Sequence, residues 1–102
     1  MRKLTATAIL AAGMALGGEM TGWISDASCG AANAKPDAAS RECTRNCLKG
    51  GAAPVFVSDN GGKVFKLAGK VDAAKTHVDY KVKIKGQVKG DTLTVESVGK
   101  AD

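Results

Sequence analysis

From Tyr80 onward the chain alternates: Tyr80, Val82 and Ile84 fall on one side, Lys81, Lys83 and Lys85 on the other, the period of a half-buried β-strand. Gly86-Gln87-Val88-Lys89 continues this run, Gly90-Asp91 turns the chain, and Thr92-Leu93-Thr94-Val95-Glu96 returns with the same alternation. The pattern predicts a hairpin. Upstream, Val55-Phe56-Val57 and Val64-Phe65-Lys66-Leu67 are short β-rich runs joined by Ser58-Asp59-Asn60-Gly61-Gly62. An Asn-Gly step between such runs predicts a second hairpin. Thr21–Asp26 reads as a first strand with Trp23 and Ile24 on opposite faces.

Between the first strand and these hairpins the period changes. Cys29-Gly30 turns the chain, and Ala31–Ala39, with Pro36, is small and polar, as a loop is. Asp37 or Ser40 is suited to cap a helix that ends at Lys49, where Gly50-Gly51 supplies a left-handed stop. Asp72-Ala73-Ala74-Lys75, inside Gly69–His77, suits one or two further helical turns. The predicted order is strand, insertion, strand, strand, short helix, strand, strand. That is the order of the OB-fold, so the expectation is a mainly β, five-stranded, OB-like antiparallel barrel. Its rival is an open antiparallel sheet with the helix packed on one face.

The first residues change the picture of where the chain works. Met1-Arg2-Lys3 is a short positive start, Leu4–Leu16 is uncharged and mostly apolar, and Ala15-Leu16-Gly17 offers small residues for a signal peptidase. This pattern predicts a signal peptide over 1–17, one domain over 18–102, and a periplasmic or secreted product. The apolar run is too short for a membrane helix, which needs roughly 20 residues. Losing Arg2 and Lys3 lowers the formal charge from +5 to +3, which is only mildly basic.

Export gives the three cysteines, Cys29, Cys43 and Cys47, their interest, because thiols pair in oxidising compartments and three cannot all pair within one molecule. The first expectation is a structural disulfide from Cys29 to Cys43 or Cys47. Closing a loop of about 15 residues stabilises by roughly 3 kcal/mol in the chain-entropy model. A Cys43–Cys47 bond is disfavoured, since Cβ atoms one helical turn apart stand roughly 5–6 Å from each other, beyond the usual ~3.5–4.5 Å. The odd thiol is then available for a mixed disulfide or a disulfide-linked dimer. Cys43, placed early in the helix with Arg41 and Arg45 nearby, is the thiol expected to favour thiolate. The alternative is a soft-metal site for copper or zinc, with Cys29, Cys43 and Cys47 as thiolate ligands and His77 as a fourth.

Gly22-Trp23-Ile24-Ser25-Asp26-Ala27-Ser28-Cys29-Gly30, followed by Cys43-Thr44-Arg45-Asn46-Cys47-Leu48-Lys49-Gly50-Gly51-Ala52 and Val55-Phe56-Val57, resembles a family of small exported bacterial proteins of unknown function. The resemblance extends to the final strand pair, Val82–Val95. It implies export and an OB-like barrel and carries no activity with it. Members of that family often have a His shortly after the Cys-Gly pair, where this chain has Ala31-Ala32-Asn33-Ala34.

Other functions find less in the residues. An OB-like barrel suggests nucleic acid, but single-strand binders combine a basic groove with several aromatic platforms. Here aromatics make up 4% of the chain, and Trp23, Phe56, Phe65 and Tyr80 are needed mostly as core. The Lys81, Lys83, Lys85 and Lys89 stripe reads as a solvated strand face. No Ser or carboxylate accompanies His77 in a triad-like pattern, and Asp26, Asp59, Asp72 and Asp91 fall at strand ends and turns. The expectation is therefore a non-enzymatic binding or interaction module without a resident cofactor. Its partner would be an extracytoplasmic ligand or protein, met at the insertion and the second hairpin through Phe56, Phe65, Arg41 and Arg45.

Overall fold

A computed structural model describes residues Gly18–Ala101; the export signal expected over 1–17 lies outside the described residues, as does Asp102. Five strands form: β1 (Glu19–Asp26), β2 (Pro54–Ser58), β3 (Val64–Gly69), β4 (Val82–Lys89) and β5 (Thr92–Lys100). Helix α1 (Ala38–Lys49) and a 3-10 turn (Gly30–Asn33) occupy the insertion after β1, and α2 (Val71–Lys75) follows β3. Among the described residues no helix is long and apolar enough to cross a membrane.

The strands are hydrogen-bonded in the order β1-β2-β3-β5-β4, and β4 pairs back onto β1, so the bonding runs around a ring. Four junctions are antiparallel, as expected. The fifth is not: β3 and β5 run parallel, with Leu67 opposite Leu93. The sheet is therefore mixed rather than wholly antiparallel. β4 pairs with β1 and not with β3, and β5 turns back antiparallel to β4, so β5 lies beside β3 in the same direction.

Two glycines let the ring close. Gly22 is the residue at which β1 passes from its partner in β4, Val82, to its partner in β2, Ser58. A Cβ there would press into the Val57 carbonyl oxygen and the Phe56 ring. Gly86 sits where the β4–β5 register shifts: Lys85 faces Ser97 and Gly86 faces Val95, leaving Glu96 as an extra residue on β5. A Cβ on Gly86 would meet the Thr94 carbonyl oxygen. Bulges and strand glycines of this kind bend a sheet until its edges meet.

Inside the ring lie Ile24, Phe56, Phe65, Val82, Ile84, Leu93 and Val95, all buried, and α2 closes one end with Ala74 and the following Val78. Each large side chain contributes about 1.5–3 kcal/mol by leaving water. The alternation on β4 and β5 is thus the core pattern. The bulge explains why Glu96 and Ser97 are both exposed before Val98 turns inward again. Phe56 and Phe65, expected on a binding surface, belong to this core: their rings pack together with centroids 6.3 Å apart. They are the largest apolar groups on two adjacent strands, and the ring interior takes both.

Candidate functional site

The insertion is built on the end of β1. Asp26 is fully buried, and its carboxylate accepts the Cys29 N–H through Oδ1 at 2.9 Å and the Asn33 side-chain amide through Oδ2 at 3.1 Å. Ser25, also buried, donates its hydroxyl to the Gly30 carbonyl at 2.7 Å. Two neighbouring polar residues therefore shape the turn that carries Cys29. The expectation that Asp26 serves local hydrogen bonds is met, although its complete burial was not foreseen. Asp37 caps α1 by accepting the Ser40 N–H at 2.8 Å, and Gly51, with φ of 102°, provides the left-handed residue beyond its end.

Arg41 is the main departure from expectation. It was a candidate surface residue, but it is buried, with only 3% of its surface exposed. One guanidinium nitrogen, Nη1, donates to the carbonyls of Ile24 at 3.0 Å and Val78 at 2.8 Å, and Nη2 donates to that of Asn33. The guanidinium carbon also lies 4.8 Å from the centre of the Trp23 ring. Burial lowers the Arg41 pKa from its usual value, yet arginine stays charged in proteins. One side chain thus clasps β1, the 3-10 turn and the segment after α2. Its five-donor fork reaches carbonyls on separate elements, a role no spacing in the sequence announces.

The thiols belong to the same insertion: Cys29 precedes the 3-10 turn, and Cys43 and Cys47 lie on α1. Cys29 and Cys43 are exposed, Cys47 is half-buried, and all three are free. The expected Cys29 disulfide is thus not formed in this structure. The Cys29 pKa is pushed up chiefly by the negative charge of Asp26, then by burial and by Cys43. The Cys47 pKa is pushed up first by burial, then by Asp26 and Cys43. The two arginines expected to favour thiolate at Cys43 are engaged elsewhere: Arg41 in the clasp, Arg45 in an ion pair with Asp79.

His77 is held by its own helix and not with the thiols. Its Nδ1 lies 2.8 Å from the Ala73 carbonyl and 3.0 Å from the Thr76 hydroxyl, and its ring meets Tyr80 edge-on. Among the described residues no group of three or more His, Cys, Asp and Glu side chains is arranged to hold a metal ion.

The insertion and the β2–β3 hairpin do meet, as expected, but through other residues than the phenylalanines. Between them lies a cleft of ≈ 280 Å³ lined by Trp23, Ala31, Ala34, Val57, Asp59 and Gly62, among others. Asp59 braces its rim: it accepts the Thr21 hydroxyl at 2.9 Å and pairs with Lys81 at 2.8 Å. Of the four residues expected on a binding surface, only Arg45 is exposed. Comparison with known proteins found no matching family model and no similar curated protein or solved structure.

Proposed function

We propose that the chain is an exported, non-enzymatic, OB-like binding module related to the small exported bacterial family it resembles, and that its insertion is stapled by a disulfide through Cys29 in an oxidising compartment. The observation that supports the reading is that the Asp26 and Arg41 hydrogen bonds tie the turn bearing Cys29 to α1, the helix that bears Cys43 and Cys47. Cys29 pairs with Cys43 or Cys47, because Cys43 and Cys47 stand one turn apart on α1 and are spaced too widely for good disulfide geometry with each other. The other helical thiol then remains odd. The strand order and the single parallel junction between β3 and β5 support the OB-like assignment.

The Asp26 and Arg41 contacts hold the insertion while every thiol is reduced. The disulfide therefore adds to a turn that is already formed, and an exposed bond of this kind is open to exchange with external thiols.

A soft-metal site for copper or zinc is the second reading, and it draws on the same three thiols. The donor set fits such an ion less well: Asp26 disfavours thiolate at Cys29, burial and then Asp26 disfavour it at Cys47, and His77 Nδ1 is turned to its own helix. Native mass spectrometry of protein purified from an oxidising compartment without reductant separates the two. A mass lower by one pair of hydrogens, with one alkylatable thiol and a disulfide-linked peptide joining Cys29 to Cys43 or Cys47, is the expected result. A stoichiometric metal adduct with no disulfide would replace the first reading by the second.

A further inference from the structure

Away from the thiols, a second cleft of ≈ 300 Å³ opens between α1 and the segment that follows α2, lined by Arg45, Leu48, Lys49, Lys75 and Val78. Leu48 and Val78 form an apolar floor: Val78 belongs to the core, and half-buried Leu48 packs against it. The rim is cationic. Arg45 and Lys49 lie one turn apart on α1, where like charges repel, and Lys75 faces them from the last turn of α2. The acid recorded against this rim is Asp79, which pairs with Arg45. Among the described residues Lys49 and Lys75 form no ion pair.

We propose that this cleft binds a small amphiphilic carboxylate, with its apolar part on Leu48 and Val78 and its charged group between Lys49 and Lys75. Charge complementarity selects an anion. The apolar floor selects one with a hydrocarbon or aromatic body over a free inorganic ion. The volume lies at the bottom of the roughly 300–1,000 Å³ range of small-molecule sites, which points to a ligand of about ten heavy atoms and an affinity near the millimolar range. Lys49 and Lys75 also complement the negative ends of their own helices, but that role requires neither a shared cleft nor an apolar floor. The inference rests on the binding-module reading for its purpose only. No cysteine lines the cleft, so its failure would leave the mass-spectrometric result on the thiols standing.

The test is a titration of the ¹⁵N-labelled protein followed by amide chemical shifts, using octanoate, octanol and acetate as probes. Octanoate is expected to give saturable shifts at Leu48, Lys49, Lys75 and Val78. Octanol, which lacks the charge, and acetate, which lacks the chain, should bind at least tenfold more weakly. The double change K49E/K75E should weaken octanoate at least tenfold while the spectrum stays dispersed; if that variant does not fold, K49Q/K75Q with the same readout takes its place. Raised salt should weaken octanoate binding to the unchanged protein. Absence of saturable shifts, octanol binding as tightly as octanoate, or a folded charge variant that binds unchanged would each overturn the proposal.

Discussion

The ring of strands and the insertion after β1 are held by different forces. The ring is filled with Ile24, Phe56, Phe65, Ile84, Leu93 and Val95, and its stability is apolar area shared among many side chains. The insertion buries Asp26, Asn33, Arg41 and Thr44, and it is held by hydrogen bonds that converge on a few polar groups. Damage to the ring should therefore be felt across the whole fold. Damage to the insertion should stay local, and one residue should account for much of it. The polar attachment has loose ends too: Arg41 Nε and the Thr44 hydroxyl are buried without a hydrogen-bond partner among the described residues.

The largest expected effect tests the ring. Phe56→Ala should cost about 3–5 kcal/mol, as truncation of a buried aromatic does, and denaturant unfolding should show one cooperative loss reported equally by β4 and α1. Gly86→Ala attacks the same region through closure, by placing a methyl group against the Thr94 carbonyl. It should lower the unfolding midpoint without emptying the core. If either variant unfolded the insertion alone, the division between the two regions would be wrong.

Next comes the clasp. Arg41→Met should cost about 2–3 kcal/mol, the scale of hydrogen bonds made by a charged donor. Hydrogen exchange should quicken through the 3-10 turn and α1 while β4 and β5 keep their protection. Arg41→Lys should not restore it, since a single ammonium cannot span the Ile24, Val78 and Asn33 carbonyls as a planar fork does. Uniform exchange across the molecule would show that the insertion and ring unfold as one unit.

Smaller effects depend on pH. The Asp37 carboxyl is held below its usual range by the Ser40 N–H, and Asp59 by Lys81 and Thr21. Both are depressed in the folded state, so their stabilisation is present above the ordinary carboxylate pKa and lost as pH falls through the lowered values. Asp37→Asn and Asp59→Asn should each flatten the fall of Tm on acidification, and an unchanged slope would remove that carboxylate from the account. The thiols behave in the opposite sense. Cys29 and Cys47 are raised, so their contribution is complete below the ordinary thiol pKa and lost as pH rises through the folded values. Asp26→Asn should make alkylation of both faster in mildly alkaline buffer, and an unchanged rate would mean that Asp26 does not set their reactivity.

Much of the ring was legible from local pattern. The alternation from Tyr80 to Glu96, the Asn60-Gly61 turn and the Asp37 cap with its glycine stop all report choices made within a few residues, and each element formed where they indicated. The candidate site was less legible. Whether Phe56, Phe65 and Arg41 face a partner or the core is not written in their neighbours, because burial depends on what a fold brings against a residue from elsewhere in the chain. No periodicity marks Arg41 as the partner of Ile24 and Val78, residues 17 and 37 positions away. The Glu96 bulge and the parallel β3–β5 junction also escaped local reading, because both are properties of how strands meet. Element type and the neighbourhood of Cys43 to Cys47 follow from short-range sterics and hydrogen bonding along one chain segment. The docking of the Cys29 turn against α1, the burial of Asp26 and Arg41, and the cationic cleft between α1 and α2 arise only when distant segments compete for the same space around a closed ring.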